Sequence, residues 1–395
     1  MTMKLLYILS GLDILSMSMF IVTFAPYVLS LGGTHSFLGV IMSSASLIGL
    51  FWNPIAGSIG DHSGRKGILI KCIAASLVGN ILRILFSSLS AIFVCQMIGA
   101  FAVPSGSLIR TIVTDVAKDK DEKAATLNKI GGTSAAMFMV GALIGGFVNE
   151  TTNGPIKIFM LLSVCNIISI FCAYLLPDIK IKQTKEEESK RQNALLKAFN
   201  SLKEISWKKY WQLFTIKLMI DLCFGIMQSN LGLILATVFH IKGRHMGYMM
   251  VIISVFSVIT NFAMVKLKKT IYSSDEGFQR LTHGSILLFI TFSGLGLSTN
   301  FFIFTIFLAT MSISRTLIDS TLTDVLTNQA DEKDKGGILS LFESIMSLTG
   351  MVSPLISGVL ADKYGEQMPI LLCTIPALIG MVIAQRQNSK SVKTE

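Results

Sequence analysis

Apolar side chains run along this chain in blocks of about 20 residues, the length that crosses bilayer hydrocarbon as a helix. The blocks predict spans at roughly 5–30, 37–59, 67–88, 90–115, 129–149, 155–177, 209–238, 245–266, 281–298, 301–326, 337–361 and 367–385. Most breaks between them are very short. The exception is 178–206, DIKIKQTKEEESKRQNALLKAFNSLKEIS, which is polar and mixed in charge. It reads as a cytosolic linker between an N-terminal six-helix bundle, 1–177, and a C-terminal six-helix bundle with a short cytosolic tail, 207–395.

Composition supports the pattern. Apolar residues make up 51% of the 395 and charged residues 15%, with a mean hydropathy of +0.64; a soluble domain carries about 25% charge. The fold class expected is an all-α polytopic membrane protein with little soluble structure. Of the 34 Lys and Arg, 25 fall on the side that holds both termini, four on the other side and five within spans. Basic residues concentrate on the cytosolic face, so both termini are expected to be cytosolic. Basic loops beside anionic lipid also explain the net charge of +10 without a nucleic-acid partner. The host is expected to be the plasma membrane or an endomembrane, and the chain to act as a monomer.

The first span is too long for a signal peptide and carries Asp13. The six cysteines (72, 95, 165, 172, 223 and 373) form no CxxC and no Cys/His cluster, so they read as packing residues, with no metal or other cofactor expected. The sequon at Asn149-Glu150-Thr151 sits at a span end and is expected to stay unmodified.

The chain repeats itself. MVGALIGGFVNE (139–150) in span 5 matches MVSPLISGVLAD (351–362) in span 11, with Met139/Met351, Val140/Val352, Leu143/Leu355, Ile144/Ile356 and Gly146/Gly358 in register at an offset of 212. The preceding loops echo as well, DEKAATL (121–127) against DEKDKGGIL (331–339), and LIRTIVTDV (108–116) resembles ISRTLIDSTLTDV (313–325). Spans 4 and 5 therefore match spans 10 and 11 in the same orientation. Parallel repeats are a known transporter plan, with the substrate site near the midplane.

Between spans 2 and 3 stands GSIGDHSGRKG, residues 57–67. It resembles the loop motif of the major facilitator superfamily, G-x-L-x-D-x-x-G-R-K/R, with Gly57, Asp61, Gly64, Arg65 and Lys66 matching and Ile59 in place of Leu. A phosphate-binding loop does not fit, because the GK[ST] spacing fails. The resemblance implies two six-helix bundles in parallel pseudo-repeat and a cytosolic gate. Gly57 is expected to permit close helix packing and Gly64 a tight turn. Asp61 is expected to meet the N-terminal end of span 11 at Gly336, and Arg65 to pair with Asp115. Within the superfamily the chain resembles the twelve-span drug:proton antiporter branch. LDILSMSMFIVTFAPYV in span 1 resembles the first helix of tetracycline exporters. MQSNLGLIL, MGYMMVIIS, SISRTLID and VSPLISGV look closer to animal facilitator-domain proteins near the organic-cation-transporter-like group. There are departures. Cys95 stands where the branch's span 4 pattern R-x-x-x-G has Arg, Ala142 replaces Pro in G-P-x-x-G-G, and the second copy of the loop motif (262–277) is unrecognisable.

The deep charges are Asp13, Arg110, Lys217, Asp221, Arg315 and Asp319, in spans 1, 4, 7 and 10. The resemblance implies that these spans border a central cavity, where membrane charges belong. Lys217/Asp221 and Arg315/Asp319 are i,i+4 pairs that share a helix face. Each pair either neutralises itself for packing or binds a charged substrate or proton. Asp13 has no basic neighbour on its own helix and is the first candidate to carry a coupling proton, since desolvation favours the neutral carboxyl. Arg83, near the outer end of span 3, is expected to snorkel, and Glu343 to face the gate. The function expected is a secondary transporter of a small organic solute, with proton coupling as one reading. The alternatives are an uncoupled facilitator and a non-transporting membrane scaffold or receptor. No enzyme is expected, because no span holds a catalytic His/Cys/acid constellation.

Overall fold

The computed structural model describes residues 2–117, 119–177, 207–241, 243–272, 277–329 and 335–391. Its described residues form helices joined by short connections, with no strand among them. They are α1 (Thr2–Ser30), α2 (His35–Ser63), α3 (Arg65–Leu85), α4 (Leu89–Ala100), α5 (Ser105–Val116), α6 (Lys120–Asn149), α7 (Gly154–Tyr174), α8 (Trp207–Thr237), α9 (Gly243–Thr270), α10 (Phe278–Leu297), α11 (Phe301–Gln329), α12 (Lys335–Tyr364), α13 (Met368–Leu372) and α14 (Thr374–Ser391). They supply 12 candidate membrane spans. Helices satisfy every backbone group internally, which hydrocarbon requires. Phe171, Phe262, Phe302 and Ile306 are exposed on them, a surface suited to lipid rather than water.

Local chemistry sets the helix ends. Thr34 Oγ1 accepts from Phe37 N at 3.1 Å to start α2, and Asp119 Oδ1 accepts from Glu122 N at 2.7 Å to start α6. Gly64 separates α2 from α3 at φ +96°, and its N–H donates to Gly60 O at 3.1 Å. Only glycine adopts that conformation without strain.

Span 4 is not one helix. It breaks at 101–104 between α4 and α5, where Pro104 has no N–H to donate. Trp52 Nε1 donates to the freed carbonyl of Phe101 at 2.8 Å, so the break leaves that group satisfied. Span 12 is also interrupted, at Cys373 between α13 and α14.

Two compact units can be distinguished. The first comprises residues 1–181, 230–254 and 357–362; the second comprises 182–229, 255–356 and 363–395. In the first, α1 packs on α6 and α7, and α3 on α4 and α7. One core cluster gathers Leu6, Leu69, Ile109 and Ile112; another gathers Phe24, Tyr27, Ile92 and Phe159. In the second, α10 packs on α11 and α14.

Small residues set the tightest contacts. A Cβ at Gly141 would meet Ser18 Oγ at 2.1 Å and Leu15 O at 2.5 Å, so α6 lies directly on α1. The repeat partner of Gly141 is Ser353, whose Oγ lies 2.4 Å from where a Cβ would stand on Gly225 of α8. The small–small contact recurs in both copies with the glycine moved to the other helix. Gly146 abuts Gly243 and Gly247 of α9, and its partner Gly358 abuts His35 and Ser36 of α2, each contact within the first unit.

Candidate functional site

The loop motif divides into parts that the structure treats differently. Arg65 forms an ion pair with Asp115 at the end of α5; its side chain is buried. Lys66 Nζ sits over the Tyr174 ring, 5.2 Å from its centroid. Gly64 makes the turn. Gly57 does not serve the close packing expected of it: a Cβ there would meet nothing within 4 Å. Gly60 does, with Ile68 Cγ2 at 3.0 Å and Leu108 Cδ2 at 3.5 Å from its Cβ position. Asp61, Gly336 and Glu343 lie on helices whose side chains are outside those described at these positions, so the expected meeting of Asp61 with α12 and the placement of Glu343 stay expectations.

The second copy of this loop is unrecognisable in sequence, yet its charge contact persists. Asp324, the repeat partner of Asp115, pairs with Lys268 at the end of α9 and with Arg280 of α10 at 3.3 Å. Sequence matching missed this because the copy keeps a base near the acid without keeping the glycines that define the motif.

Asp13 is half-buried on α1 and accepts a hydrogen bond from Ser105 Oγ at 2.8 Å. Ser105 is the first residue of α5, and a Cβ on Gly106 would stand 3.4 Å from Asp13 Oδ2. The break in span 4 therefore places the positive end of a half-helix beside this carboxylate. Arg110, exposed on the same half-helix, adds its charge from a distance without forming an ion pair with Asp13.

The other four deep charges form one chain across α8 and α11. Lys217 Nζ lies 3.1 Å from Asp221 Oδ1 and 2.9 Å from Asp319 Oδ1; Arg315 Nε lies 3.5 Å from Asp319 Oδ2. The two i,i+4 pairs are thus joined through Lys217 and Asp319. Asp319 makes its shorter contact with Lys217 on the other helix, not with Arg315. The Arg315 guanidinium also sits 4.7 Å from the Phe224 ring centroid. The chain grades from buried to open: Asp221 has 4% of its side chain exposed, Asp319 35% and Arg315 42%. The open end lines a cavity of about 480 Å³ with Ser257, Asn261, Thr316 and Asp324, all within the second unit.

Arg83 departs most from expectation. It does not snorkel: it is 3% exposed. Its Nη1 donates to Asn80 Oδ1 at 2.7 Å, and its Nη2 to Gln96 Oε1 at 2.6 Å and Cys95 O at 3.2 Å. Phe20, Phe24 and Phe159 surround the guanidinium with ring centroids at 5.3, 5.9 and 5.8 Å. It passes close to Gly79 and Gly99, whose missing side chains leave it room. Cys95 and Gly99 belong to the span 4 pattern whose arginine is absent; the guanidinium at that place comes from α3.

Twelve candidate spans among the described residues, one of them broken beside Asp13, and one ionic chain that opens onto a cavity describe a multi-pass membrane protein with polar groups inside it. The chain belongs to the Major Facilitator Superfamily, whose sequence profile matches residues 6–272 and 277–390. Among curated relatives, mouse solute carrier family 22 member 18 is 21% identical over 375 residues, covering 91% of this chain and 89% of the relative. The quinolone resistance protein NorA of Staphylococcus aureus is 24% identical over 382 residues, covering 93% and 92%. The solved nucleoside transporter NupG superposes with a TM-score of 0.78 at 15% identity, over 97% of this chain and 99% of that one. The human organic anion transporter MFSD10 does so with a TM-score of 0.65 at 15% identity, over 97% and 98%. The fold is that of the superfamily, and the chain is a secondary transporter of small molecules.

Proposed function

We propose that the protein moves a small organic solute across its membrane by alternating access, with both termini cytosolic and proton exchange at Asp13 driving the cycle. The observation that carries the solute reading is the ionic chain Asp221–Lys217–Asp319–Arg315. Charges inside a membrane are expensive and collect where water or substrate reaches them. This chain grows more exposed along its length and ends on a cavity of about 480 Å³. Its balanced charge lets a charged solute displace one internal contact without leaving the other ions unpaired. NorA, a quinolone resistance protein by its name, favours an organic solute over an inorganic ion.

Asp13 suits proton exchange because it lies within a span and no ion-pair partner fixes its charge, while the Ser105 hydroxyl and the start of α5 steady the carboxylate when the proton leaves. The gate is assigned to the two acid–base contacts, Arg65–Asp115 and Lys268/Arg280–Asp324, which would hold one conformation and break in the other. An uncoupled facilitator is the second reading, favoured by Ala142 in place of the antiporter proline. Reconstituted vesicles with an imposed pH gradient, screened against mixed metabolites, separate the two. Gradient-driven flux that Asp13→Asn abolishes supports coupling. Flux that ignores the gradient establishes the facilitator, and no flux of any solute overturns transport.

A further inference from the structure

The first unit holds a half-open cavity of about 320 Å³ between α1, α3, α4, α5 and α7. Arg83, Asn80, Gln96, Ser76 and Asn166 line one part; Asp13, Ser16 and Ser105 line another; Leu9, Met17, Phe20, Ile73 and Leu162 give it apolar walls. No reading of the sequence pointed to it.

The charges of this cavity are unequally compensated. Asp13 has the Ser105 hydroxyl, the start of α5 and the charge of Arg110. Arg83 is 3% exposed, and no carboxylate among the described residues pairs with it. Its partners are two side-chain amides, a backbone carbonyl and ring faces, and its Nε–H has no acceptor. A buried cation normally has a counter-ion. The amides extend the imbalance. Asn80 and Gln96 commit their oxygens to the guanidinium, so each keeps an N–H₂ group that can only donate. Donors and positive charge thus accumulate at one part of an apolar-walled cavity.

We infer that this cavity binds the carboxylate of a small amphipathic organic anion at Arg83, with the apolar part of the ligand against Phe20, Ile73 and Leu162. The inference rests on the transport reading, since it names a substrate class for the same protein. It gives the anion's carboxylate a site inside the first unit, separate from the cavity on the ionic chain of α8 and α11. Arg83 suits the role because its charge has no counter-ion and its Nε–H and one Nη1–H are uncommitted, with the donor-only amide groups of Asn80 and Gln96 beside them.

The test uses the full-length protein in detergent and three matched probes: 3-phenylpropionate, its amide 3-phenylpropanamide and the cation 3-phenylpropylamine. Thermal stability and equilibrium binding are read for each. The carboxylate is expected to raise the melting temperature and bind at least about tenfold more tightly than the amide, the scale of a charge-assisted contact. The wild-type comparison needs no variant. Equal stabilisation by the amide or the amine, or none by the carboxylate, overturns the inference. Arg83→Lys is expected to keep part of the response and Arg83→Gln to lose it; a folded Arg83→Gln protein that responds like wild type also overturns it. Should Arg83→Gln not fold, a photoreactive 3-phenylpropionate decides the site by peptide mapping. Labels in α1, in α7 or within 73–109 support it, and labels confined to α8 or α11 refute it. Binding is read without flux, so a binder that moves nothing fails the transport reading alone, and transport of other solutes with no carboxylate binding fails this inference alone.

Discussion

Lys217 holds two acids, and the cost of removing it can be worked from the geometry. Asp221 has 4% of its side chain exposed; its Oδ1 meets Lys217 Nζ at 3.1 Å, and its Oδ2 has no partner. Breaking a buried pair by removing one member costs about 3–5 kcal/mol, mostly the penalty of the stranded charge. Asp319 is 35% exposed and keeps Arg315, so its loss of Lys217 adds at most about 1 kcal/mol. Lys217→Met should therefore lower the apparent melting temperature of purified protein by several degrees, chiefly through Asp221. Removing that charge as well should restore most of the loss, so Lys217→Met with Asp221→Asn is expected to be more stable than Lys217→Met alone. Lys217→Met with Asp319→Asn should recover little. The assay is a double-mutant cycle on apparent melting temperature, with vesicle flux measured beside it. If Asp221→Asn gives no rescue, or if Asp319→Asn rescues equally well, the reasoning that burial rather than proximity sets the cost is wrong.

Gly64→Val forces a β-branched residue to φ +96°, a strain of about 1–3 kcal/mol; vesicle flux should collapse while membrane expression persists. Asp324→Asn and Asp115→Asn should each reduce flux, because each removes the acid of one contact assigned to the gate. A normal rate in Asp324→Asn would show that the second contact gates nothing. Gly141→Ala drives a methyl into Ser18 Oγ and the Leu15 carbonyl, so its melting temperature should fall clearly. Ser353→Ala, at the repeat position, loses one long bond to Leu222 O at 3.4 Å and should change stability by less than about 1 kcal/mol.

Much of the fold was legible along the chain. Hydropathy located the spans because bilayer thickness acts on each segment by itself. The repeat was legible because its glycine and small-residue positions answer to a local demand, close helix approach, and that demand recurs at Gly146 and Gly358. Gly64 was legible for the same reason: one residue's φ decides it. Where a demand concerns which residue on another helix is met, the sequence was mute or misleading. The 262–277 loop lost its motif while Lys268 kept its acid. Gly57 matched the motif although the close packing falls to Gly60.

The sequence by itself determined a helical, multi-pass membrane chain with a transporter-like repeat, and which helices carry charge. The Arg65–Asp115 pair was expected from the loop motif and is present; elsewhere only the tertiary structure decided which charge meets which between helices. Lys217 reaches Asp319, 102 residues away, more closely than Asp221 on its own helix. The span 4 arginine missing at Cys95 is supplied in space by Arg83. The break at 101–104 turns a helix start toward Asp13. Each outcome depends on the rotation and register of one helix against another, set by packing across the whole unit. A charge in a greasy segment announces that it needs a partner; only the packed helices supply one.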